Sequence, residues 1–312
     1  MFDIRPYADA DGKVWNAFVS HSRQGTFLFD RRYMDYHRDR FRDFSLMFYK
    51  KGQLFALLPA NIDGDTLWSH QGLTYGGLLT DDHATAADVA DLFADLNAFL
   101  RGKGIRKVVY KPMPWIYQRQ PSEEDLYALT NVCHANVTAR YISSSIILRD
   151  PVRWRYGRKY DANKAAACGV TVGRDDEALP QFWQILDDNL MENHHAKPVH
   201  TLAEMRLLQS RFPDSIRLYV SRFENRVVAG TLLFVTTQVV HTQYISASGE
   251  GKRLHAIDLM FRKVFSDFGG YLYFDFGNSN EDHGKTLNRG LIFQKEGFGG
   301  RGVCYDWYEY EL

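Results

Sequence analysis

The sequence has little cysteine. Three residues, Cys133, Cys168 and Cys304, occur in 312 positions, and no two of them form a CxxC pair. An odd number of widely spaced cysteines argues against a disulfide framework and favours a reducing compartment. A zinc site built on thiolates has no support either, because such sites use closely spaced cysteine pairs.

Long apolar runs are also absent. No stretch is long enough to span a bilayer, and the N-terminal segment MFDIRPYADADGKVW has no apolar core of a signal peptide. We therefore expect a cytoplasmic protein.

The chain also has no excess of charge of one sign, since 38 Lys and Arg residues balance 38 Asp and Glu residues. This balance argues against a protein whose main task is to grip nucleic acid over a wide surface, although it leaves room for a local basic patch.

The length and composition of the chain are those of a globular protein. Hydrophobic residues make up 45% of it and charged residues 24%, which excludes a disordered chain. A length of 312 residues exceeds one comfortable hydrophobic core. We therefore predict two domains, at residues 1–150 and 151–312.

The two halves show the same order of elements: hairpin strands, a glycine-containing loop, an amphipathic helix and a strand. In the first half the helix is predicted at residues 86–101 and the strand at 106–112. In the second half they are predicted at 254–268 and 271–276. The copies lie about 165 residues apart, and we interpret them as an internal duplication of one α/β unit.

The segment between the two copies is the most basic part of the chain. Its cations are Arg153, Arg155, Arg158, Lys159 and Lys164. On a helix several of them would share one face, and that face would either contact phosphate or be solvated.

The segment 271–299 reads as a strand, a polar loop and a return to the core. The strand alternates and presents Asp275 at its end, where sites are often built. A purely structural alternative has Asp275 capping the turn and Lys295 pairing with Glu296 on a solvated surface.

The same segment resembles a known family. The strand ends in YFDFG and is followed by GL-x-x-QK-x-x-FG, a pattern similar to the Fem-type branch of the GNAT acyltransferase superfamily. The family's Phe-Lys is replaced here by Gln294-Lys295. The blocks PVHTLAEM, VHTQYI and LNRGLIFQKEGFG resemble a bacterial subgroup of GNAT-like proteins. The resemblance is specific from about Trp154 onward, and in the first half it rests on the order of elements.

The resemblance implies an α/β fold of two tandem GNAT-like domains, each a mixed, mostly antiparallel sheet flanked by helices. It also implies an N-acyltransferase that moves an acyl group from an activated donor to a small-molecule or peptide amine. We expect acyl-CoA as the donor substrate, given the neutral charge and the lack of a long helical arm, and no tightly bound cofactor. Two alternatives stay open. The first is an aminoacyl-tRNA-dependent aminoacyltransferase of the peptidoglycan-bridge type, with a tRNA contact, and the second is a non-catalytic ligand-binding module on the same fold.

Direct acyl transfer needs a proton acceptor and donors for the oxyanion that forms. Asp275, His241 and Glu296 are the candidate proton acceptors. The family resemblance implies that Lys295 stabilises charge at the reacting carbonyl, and Tyr244 is a candidate for protonating the leaving group. Regular alternation along the strand predicts that His241 and Tyr244 lie on opposite faces, so that only one of them reaches a cleft.

A donor loop is predicted at the strand-to-helix junction Ser248–Arg253. Its candidate cofactor-binding residues are Gly249, Gly251, Lys252 and Arg253. Coenzyme A loops in the family place glycines and backbone N–H groups against a pyrophosphate at a helix N-terminus. This junction departs from that pattern because Glu250 lies among the glycines, and an ordinary glycine turn is the alternative.

Five further residues are candidates for substrate binding. They are His200, Asn278, Asn288, Asp258 and Lys111. Lys111 is included because the duplication places it at a strand end equivalent to that of Asp275. The structural alternatives are an arginine partner for Asp258 and turn or cap roles for the two asparagines.

The histidines His194, His195 and His200 lie close together in the sequence and could be considered as ligands of a metal site. We expect none, because Pro198 interrupts the motif and no carboxylate stands nearby at ligand spacing.

Overall fold

The computed structural model describes the backbone of residues 1–312 and all side chains except those of Asn193 and His194. The prediction for the histidine motif at residues 194–200 therefore falls partly outside the described residues. No described helix is both long enough and apolar enough to cross a membrane.

The elements of the first half are β1 (Asp3–Pro6), α1 (Gly12–His21), α2 (Arg31–Met34), β2 (Arg42–Asp43), β3 (Leu46–Lys50), β4 (Gln53–Leu58), β5 (Asn61–Asp63), β6 (Thr66–Trp68), β7 (Leu79–Thr80), α3 (Ala86–Gly102), β8 (Lys107–Tyr110), α4 (Glu124–Asn131) and β9 (Asn136–Ile147). The helix predicted at residues 86–101 is confirmed as α3. Its first turn is capped by Thr85, whose hydroxyl accepts the N–H of Asp88.

The elements of the second half are α5 (Tyr156–Ala167), β10 (Thr171–Arg174), α6 (Leu179–His194), α7 (Leu202–Arg211), β11 (Ile216–Phe223), β12 (Arg226–Val235), β13 (Val239–Ala247), α8 (Gly249–Arg253), α9 (Ala256–Asp267), β14 (Tyr273–Asn278), β15 (Asn280–Glu281), β16 (Thr286–Leu287), α10 (Arg289–Gly297) and β17 (Arg301–Glu311). The helix predicted at residues 254–268 is confirmed in its main part as α9. The short helix α8 precedes it, and His255 separates the two with a left-handed backbone.

Contacts divide the chain into two compact units. The first unit comprises residues 1–142, 280–286 and 304–312, and the second comprises residues 143–279 and 287–303. The division differs from a cut at residue 150 because most of β17 belongs to the first unit. There Tyr308 pairs with Tyr110, in antiparallel register between β17 and β8.

The first unit contains two runs of strands. One has the order β1-β3-β4-β7, and the other has the order β17-β8-β6-β5-β2. The apolar face of α3, including Leu92, Phe93 and Leu96, packs with strand residues such as Phe48 and Val108 into one core. Among its described strand pairings, β6 and β8 pair in parallel, over three residues each.

The second unit has the strand order β10-β11-β12-β13-β14-β9. All of these neighbours are antiparallel except β13 and β14, so the predicted mixed, mostly antiparallel sheet is confirmed. Phe261 on α9 packs against Phe274 and Phe276 on β14 and fills one face of the sheet. Helix α6 packs on the other face of β12 and β13.

Strands β13 and β14 separate after three paired residues. Val239, Val240 and His241 pair with Tyr273, Phe274 and Asp275, and no pair follows along the two strands. The point of divergence lies at His241 and Asp275.

A β-bulge in β13 overturns the predicted alternation. Leu232 of β12 pairs with Tyr244 and Leu233 with Thr242, which leaves Gln243 without a partner in the register. One extra residue reverses the faces beyond it. His241 and Tyr244 therefore lie on the same face, the face opposite α9, and the prediction that they lie on opposite faces is wrong.

Candidate functional site

Asp275 is the centre of a buried polar cluster in the second unit. Its neighbours Phe274 and Phe276 point to α9, so its own side chain points to the opposite face, where it is 0% exposed. A buried carboxylate is stable only when hydrogen bonds replace its lost water. Three of the described side chains form such bonds with Asp275.

Two of the donors are serines of β9. The Ser145 hydroxyl donates to Asp275 Oδ1 at 2.7 Å, and the Ser143 hydroxyl donates to the same oxygen. The third partner is His241, whose Nδ1 lies 2.9 Å from Asp275 Oδ2. A carboxylate on Nδ1 selects the tautomer that carries its proton there, which makes Nε2 the basic nitrogen of the ring.

Gly277 allows the chain to turn directly beside the histidine. Its φ of 74° lies in the left-handed region. A Cβ at this position would stand 3.1 Å from His241 Cε1 and 3.8 Å from Nε2, so glycine keeps the edge of the ring uncrowded. On the other side the Thr242 hydroxyl donates to the Phe276 carbonyl at 3.1 Å and ties β13 to β14 beyond their last pair.

Lys295 of α10 contacts the turn at Gly277. Its Nζ donates to the carbonyls of Gly277 at 2.8 Å and Asn278 at 2.7 Å. Burial lowers the pKa of Lys295 to about 8, and the Asp275 charge opposes that shift. An ammonium has three N–H groups, and the third has no acceptor among the described residues.

Tyr244 and His200 form a second polar pair on the same face of the sheet. The Tyr244 hydroxyl lies 2.8 Å from His200 Nδ1 and also accepts the His200 backbone N–H at 3.3 Å. Trp183 of α6 packs against the Tyr244 ring at 5.4 Å between centroids. Burial raises the pKa of Tyr244, so the phenol is protonated at neutral pH.

The surface alternative for this segment is wrong. Asp275 and Lys295 are both buried, and Lys295 bonds backbone carbonyls rather than Glu296. The Glu296 side chain is exposed and has no ion pair among the described residues. Glu296 is therefore not brought to the cluster.

The two asparagine candidates have structural contacts. Asn288 Oδ1 accepts the Leu291 N–H at 2.9 Å and caps the N-terminus of α10. Asn278 contributes its backbone carbonyl to Lys295, and its own side chain is exposed. The cap at Asn288 fixes the start of the helix that carries Lys295.

Asp258 lies on the other face of the sheet, away from the cluster. Its Oδ1 accepts from Arg158 Nη1 at 2.9 Å, and burial raises the pKa of Asp258 against the opposing charge of Arg158. Ligand atoms of Asp161, His255 and Asp258 lie within 4.8 Å of one another. Because Arg158 already neutralises the buried carboxylate, this group is better described as an ion-pair network than as a metal centre.

The loop candidate Ser248–Arg253 is held by the protein's own contacts. The Ser248 hydroxyl accepts the Gly251 N–H at 3.1 Å and caps α8. The Glu250 carboxylate pairs with Arg226 at 3.2 Å, and Lys252 donates to Asn189 at 2.7 Å. A Cβ on Gly249 would meet only the Arg253 guanidinium, at 3.8 Å.

Gly251 is required for close packing of the start of α8 against β12, a role that its position in a glycine-containing loop does not indicate. Replacing Gly251 tests this role. A Cβ there would stand 2.1 Å from the Val228 carbonyl oxygen, a backbone atom that cannot move aside. We expect Gly251→Ala to lower the free energy of unfolding by about 2–3 kcal/mol, as overpacking does. Urea denaturation measures this loss, and Gly249→Ala is the control with open space. Equal stability of the two variants would contradict the packing role.

Lys111 lies in the first unit and has contacts similar to those of Lys295. Its Nζ donates to the carbonyls of Leu73 at 2.7 Å and Gln71 at 3.3 Å, and burial lowers the pKa of Lys111 to about 7. It also lies 5.4 Å from the ring centre of Trp307. No pair of a carboxylate and a histidine contacts Lys111 among the residues that the structure describes.

Two members of the cluster, both serines of β9, were not among the predicted site residues. Ser143 and Ser145 belong to the run SSS in β9, and alternation places them on one face. Hydroxyls at alternate positions of a buried strand are a signal for a polar partner on the neighbouring strand. The sequence does not identify that partner, because β9 and β14 are about 130 residues apart.

Comparison with known proteins finds a family match for part of the chain. Residues 153–285 match the family model described as an acetyltransferase (GNAT) domain. No curated protein matches the chain by sequence.

Solved structures match over the whole chain. FemX has a TM-score of 0.70 at 10% identity and covers 99% of this chain and 97% of its own. L-PGS from Bacillus licheniformis has a TM-score of 0.62 at 13% identity, with 97% and 91% covered. A tandem GNAT protein from the clavulanic acid biosynthesis pathway has a TM-score of 0.53 at 12% identity, with 100% and 98% covered. These likenesses confirm the predicted fold of two tandem GNAT-like domains.

Proposed function

We propose that the chain, which contains a GNAT acetyltransferase domain and has the two-domain fold of FemX, transfers an acyl group from an activated ester to an amine at the His241–Asp275 pair. One observation carries the proposal. A histidine with a buried carboxylate on Nδ1 stands at the point where β13 and β14 separate. This arrangement holds a basic nitrogen on a partly exposed ring where the pairing of the two strands ends.

In the proposed reaction the acceptor nitrogen attacks the ester carbonyl and forms the new C–N bond. His241 Nε2 takes the proton that the attacking nitrogen loses, and Asp275 stabilises the imidazolium that results. The tetrahedral intermediate collapses with cleavage of the bond from carbon to the leaving group. The leaving thiolate or alkoxide is then protonated, by the imidazolium or by the Tyr244 phenol, which lies on the same face of β13 as His241.

Lys295 supports the negative charge of the intermediate. Two of its N–H groups hold the turn at Gly277 and Asn278. The third is the donor for the oxyanion, and a donor of this kind acts strongly where water is excluded. The proposed catalytic residues are therefore His241, Asp275 and Lys295, with Tyr244 as an acid and His200 as its positioning partner.

We propose acyl-CoA as the donor and keep an aminoacyl ester, as in aminoacyl-tRNA, as the second candidate. The neutral chain and the glycines at the N-terminus of α8 favour a thioester with a pyrophosphate. The contacts of Glu250 and Lys252 within the protein, together with the packing of Gly251, favour the aminoacyl ester, because they occupy the groups that would hold a pyrophosphate. Glu296 is not part of the proposed chemistry.

The test compares donors first and residues second. Thermal stabilisation by acetyl-CoA and by an aminoacyl-tRNA identifies the donor, and transfer is then measured with that donor and a panel of amines. We expect His241→Asn to reduce turnover by about 10²–10⁴-fold, the usual contribution of a general base. His255→Asn is the matched control, because His255 is half-buried and has its own carboxylate, Asp161 at 3.5 Å. Full turnover of His241→Asn, or transfer from neither donor, would remove the proposal.

A further inference from the structure

A groove of about 520 Å³ lies on the second unit, apart from the candidate site. Its floor is apolar and consists of Ile146, Leu148, Trp154 and Phe265. We call it the α5–α9 groove, because α5 and α9 form its walls. Volumes of this size are typical of ligand sites in proteins.

The groove lies on the face of the sheet opposite to the Asp275 cluster. Its floor includes Phe265 of α9, whereas the Asp275 carboxylate points away from α9. It also lies at the other end of β14, where the Leu148 N–H bonds the Leu272 carbonyl at 3.0 Å. The proposed acyl-transfer chemistry does not use this space.

Three cations surround the apolar floor without a counter-charge. Arg153 and Lys159 have no ion pair among the described residues, and Arg262 donates only to the Asn163 amide oxygen at 2.7 Å. No carboxylate lines the groove. The neighbouring Lys263, by contrast, is paired with Asp267 at 2.5 Å. The three cations that line the groove therefore carry positive charge that no described carboxylate balances.

The apolar surface continues beyond the groove in two directions. Arg262 and Ser266 also line an adjoining hollow of about 320 Å³, whose walls include Val170 and Leu259. In the other direction, Val152 is 42% exposed and Tyr156, one turn before Lys159 on α5, is 87% exposed. Cations thus alternate with an elongated apolar surface that is open to solvent.

We propose that this face docks on a membrane that contains anionic phospholipid, with one acyl chain along the floor of the α5–α9 groove and the phosphate between Arg153, Lys159 and Arg262. An acyl chain accounts for the apolar floor, and a phosphate accounts for the unpaired cations. Tyrosine beside cations is typical of protein surfaces at the membrane–water boundary. A free phosphate or an RNA backbone would satisfy the cations but would leave the floor in water.

The test is sedimentation of the full-length protein with lipid vesicles at low salt. We expect binding to phosphatidylcholine vesicles that contain roughly a third phosphatidylglycerol, and little binding to phosphatidylcholine alone. Each change Arg153→Gln, Lys159→Gln or Arg262→Gln should weaken binding about fivefold, and the triple variant about 100-fold. The control is Lys13→Gln with Lys51→Gln and Lys103→Gln, which removes the same charge from exposed positions of the first unit.

A second set of measurements tests the apolar part of the groove. Ser266→Phe fills the groove and Val152→Glu places a carboxylate on its rim, and each should weaken vesicle binding while the thermal melt shows a folded protein. Monomeric dioctanoyl phosphatidylglycerol should compete with the vesicles, and glycerol 3-phosphate should not. Equal binding to neutral vesicles, full binding by the triple variant, or competition by glycerol 3-phosphate alone would overturn the proposal. Binding of tRNA through the same three cations without vesicle binding would also overturn it.

Discussion

Replacing Asp275 by asparagine should lower kcat/KM by about 10³–10⁴-fold while leaving a folded protein, since this is the size of effect seen when a histidine loses the carboxylate that orients it. An amide offers Ser143 and Ser145 an oxygen acceptor, and its NH₂ group then faces His241 Nδ1. That nitrogen must accept, so the ring carries its proton on Nε2. The nitrogen that should take the substrate's proton is then already protonated.

The control for this variant is another buried carboxylate. Asp125 of the first unit accepts from the Tyr110 hydroxyl at 2.7 Å, and burial raises the pKa of Asp125 to about 6. Asp125→Asn should cost about 1–3 kcal/mol of unfolding free energy, as loss of a buried polar contact does. It should leave kcat unchanged. Nitrogen NMR of the His241 ring reports the tautomer directly, and an Nδ1-protonated ring in Asp275→Asn would contradict the explanation.

The elements of the second unit were predictable because they depend on local periodicity and local capping. Thr201 and Glu204 form a capping box, a threonine-to-glutamate spacing that can be read directly from the sequence, and α7 begins at the residue after Thr201. The bulge at Gln243 was not predictable, because it depends on how β12 pairs with β13 and has no local signature in VVHTQYISA. That single inserted residue decides that His241 and Tyr244 share a face.

The composition of the site was predictable in part. The strand pattern and the family resemblance identified Asp275 and Lys295, yet their burial depends on distant chain segments. Ser279, in a loop that its polar sequence placed outside the core, is fully buried for the same reason. Burial of polar groups follows from tertiary pairing, which a periodicity of two or 3.6 residues does not encode.

The sequence repeat placed Lys111 at the position equivalent to Asp275. Comparison of the parallel strand pair β6–β8 with the pair β13–β14 gives a different equivalence. β6 and β8 pair over three residues before they separate, as β13 and β14 do. Matching the points of separation puts Val109 at the place of Asp275, and Lys111 two residues further on. The first unit therefore has an apolar residue where the second has its carboxylate, as expected if the proposed site belongs to the second unit alone.

Replacing Lys295 by methionine should lower kcat by about 10²–10³-fold, the usual cost of losing one oxyanion donor. Methionine has a similar length and no N–H groups, so the carbonyls of Gly277 and Asn278 also lose their partner. Because the proposed role requires the ammonium, kcat of the natural protein should fall as the pH rises through about 8, where Lys295 loses its proton. A kcat that rises through this range would show that the neutral amine is the active form.

The free energy of unfolding should rise over the pH range in which kcat is expected to fall. This difference separates the catalytic role of Lys295 from its structural role. The folded-state pKa of about 8 lies below the ordinary 10.5, so between these values the unfolded chain binds more protons than the folded protein. Unfolding free energy therefore rises with pH across this window, by about 3 kcal/mol in total. Lys295→Met should lack that rise in urea denaturation at successive pH values.

Lys111→Met is the comparison for a buried lysine, and the rise in unfolding free energy that it removes should begin at a lower pH, near pH 7. If Lys295→Met loses no more activity than Lys111→Met at matched stability, Lys295 acts only through the fold.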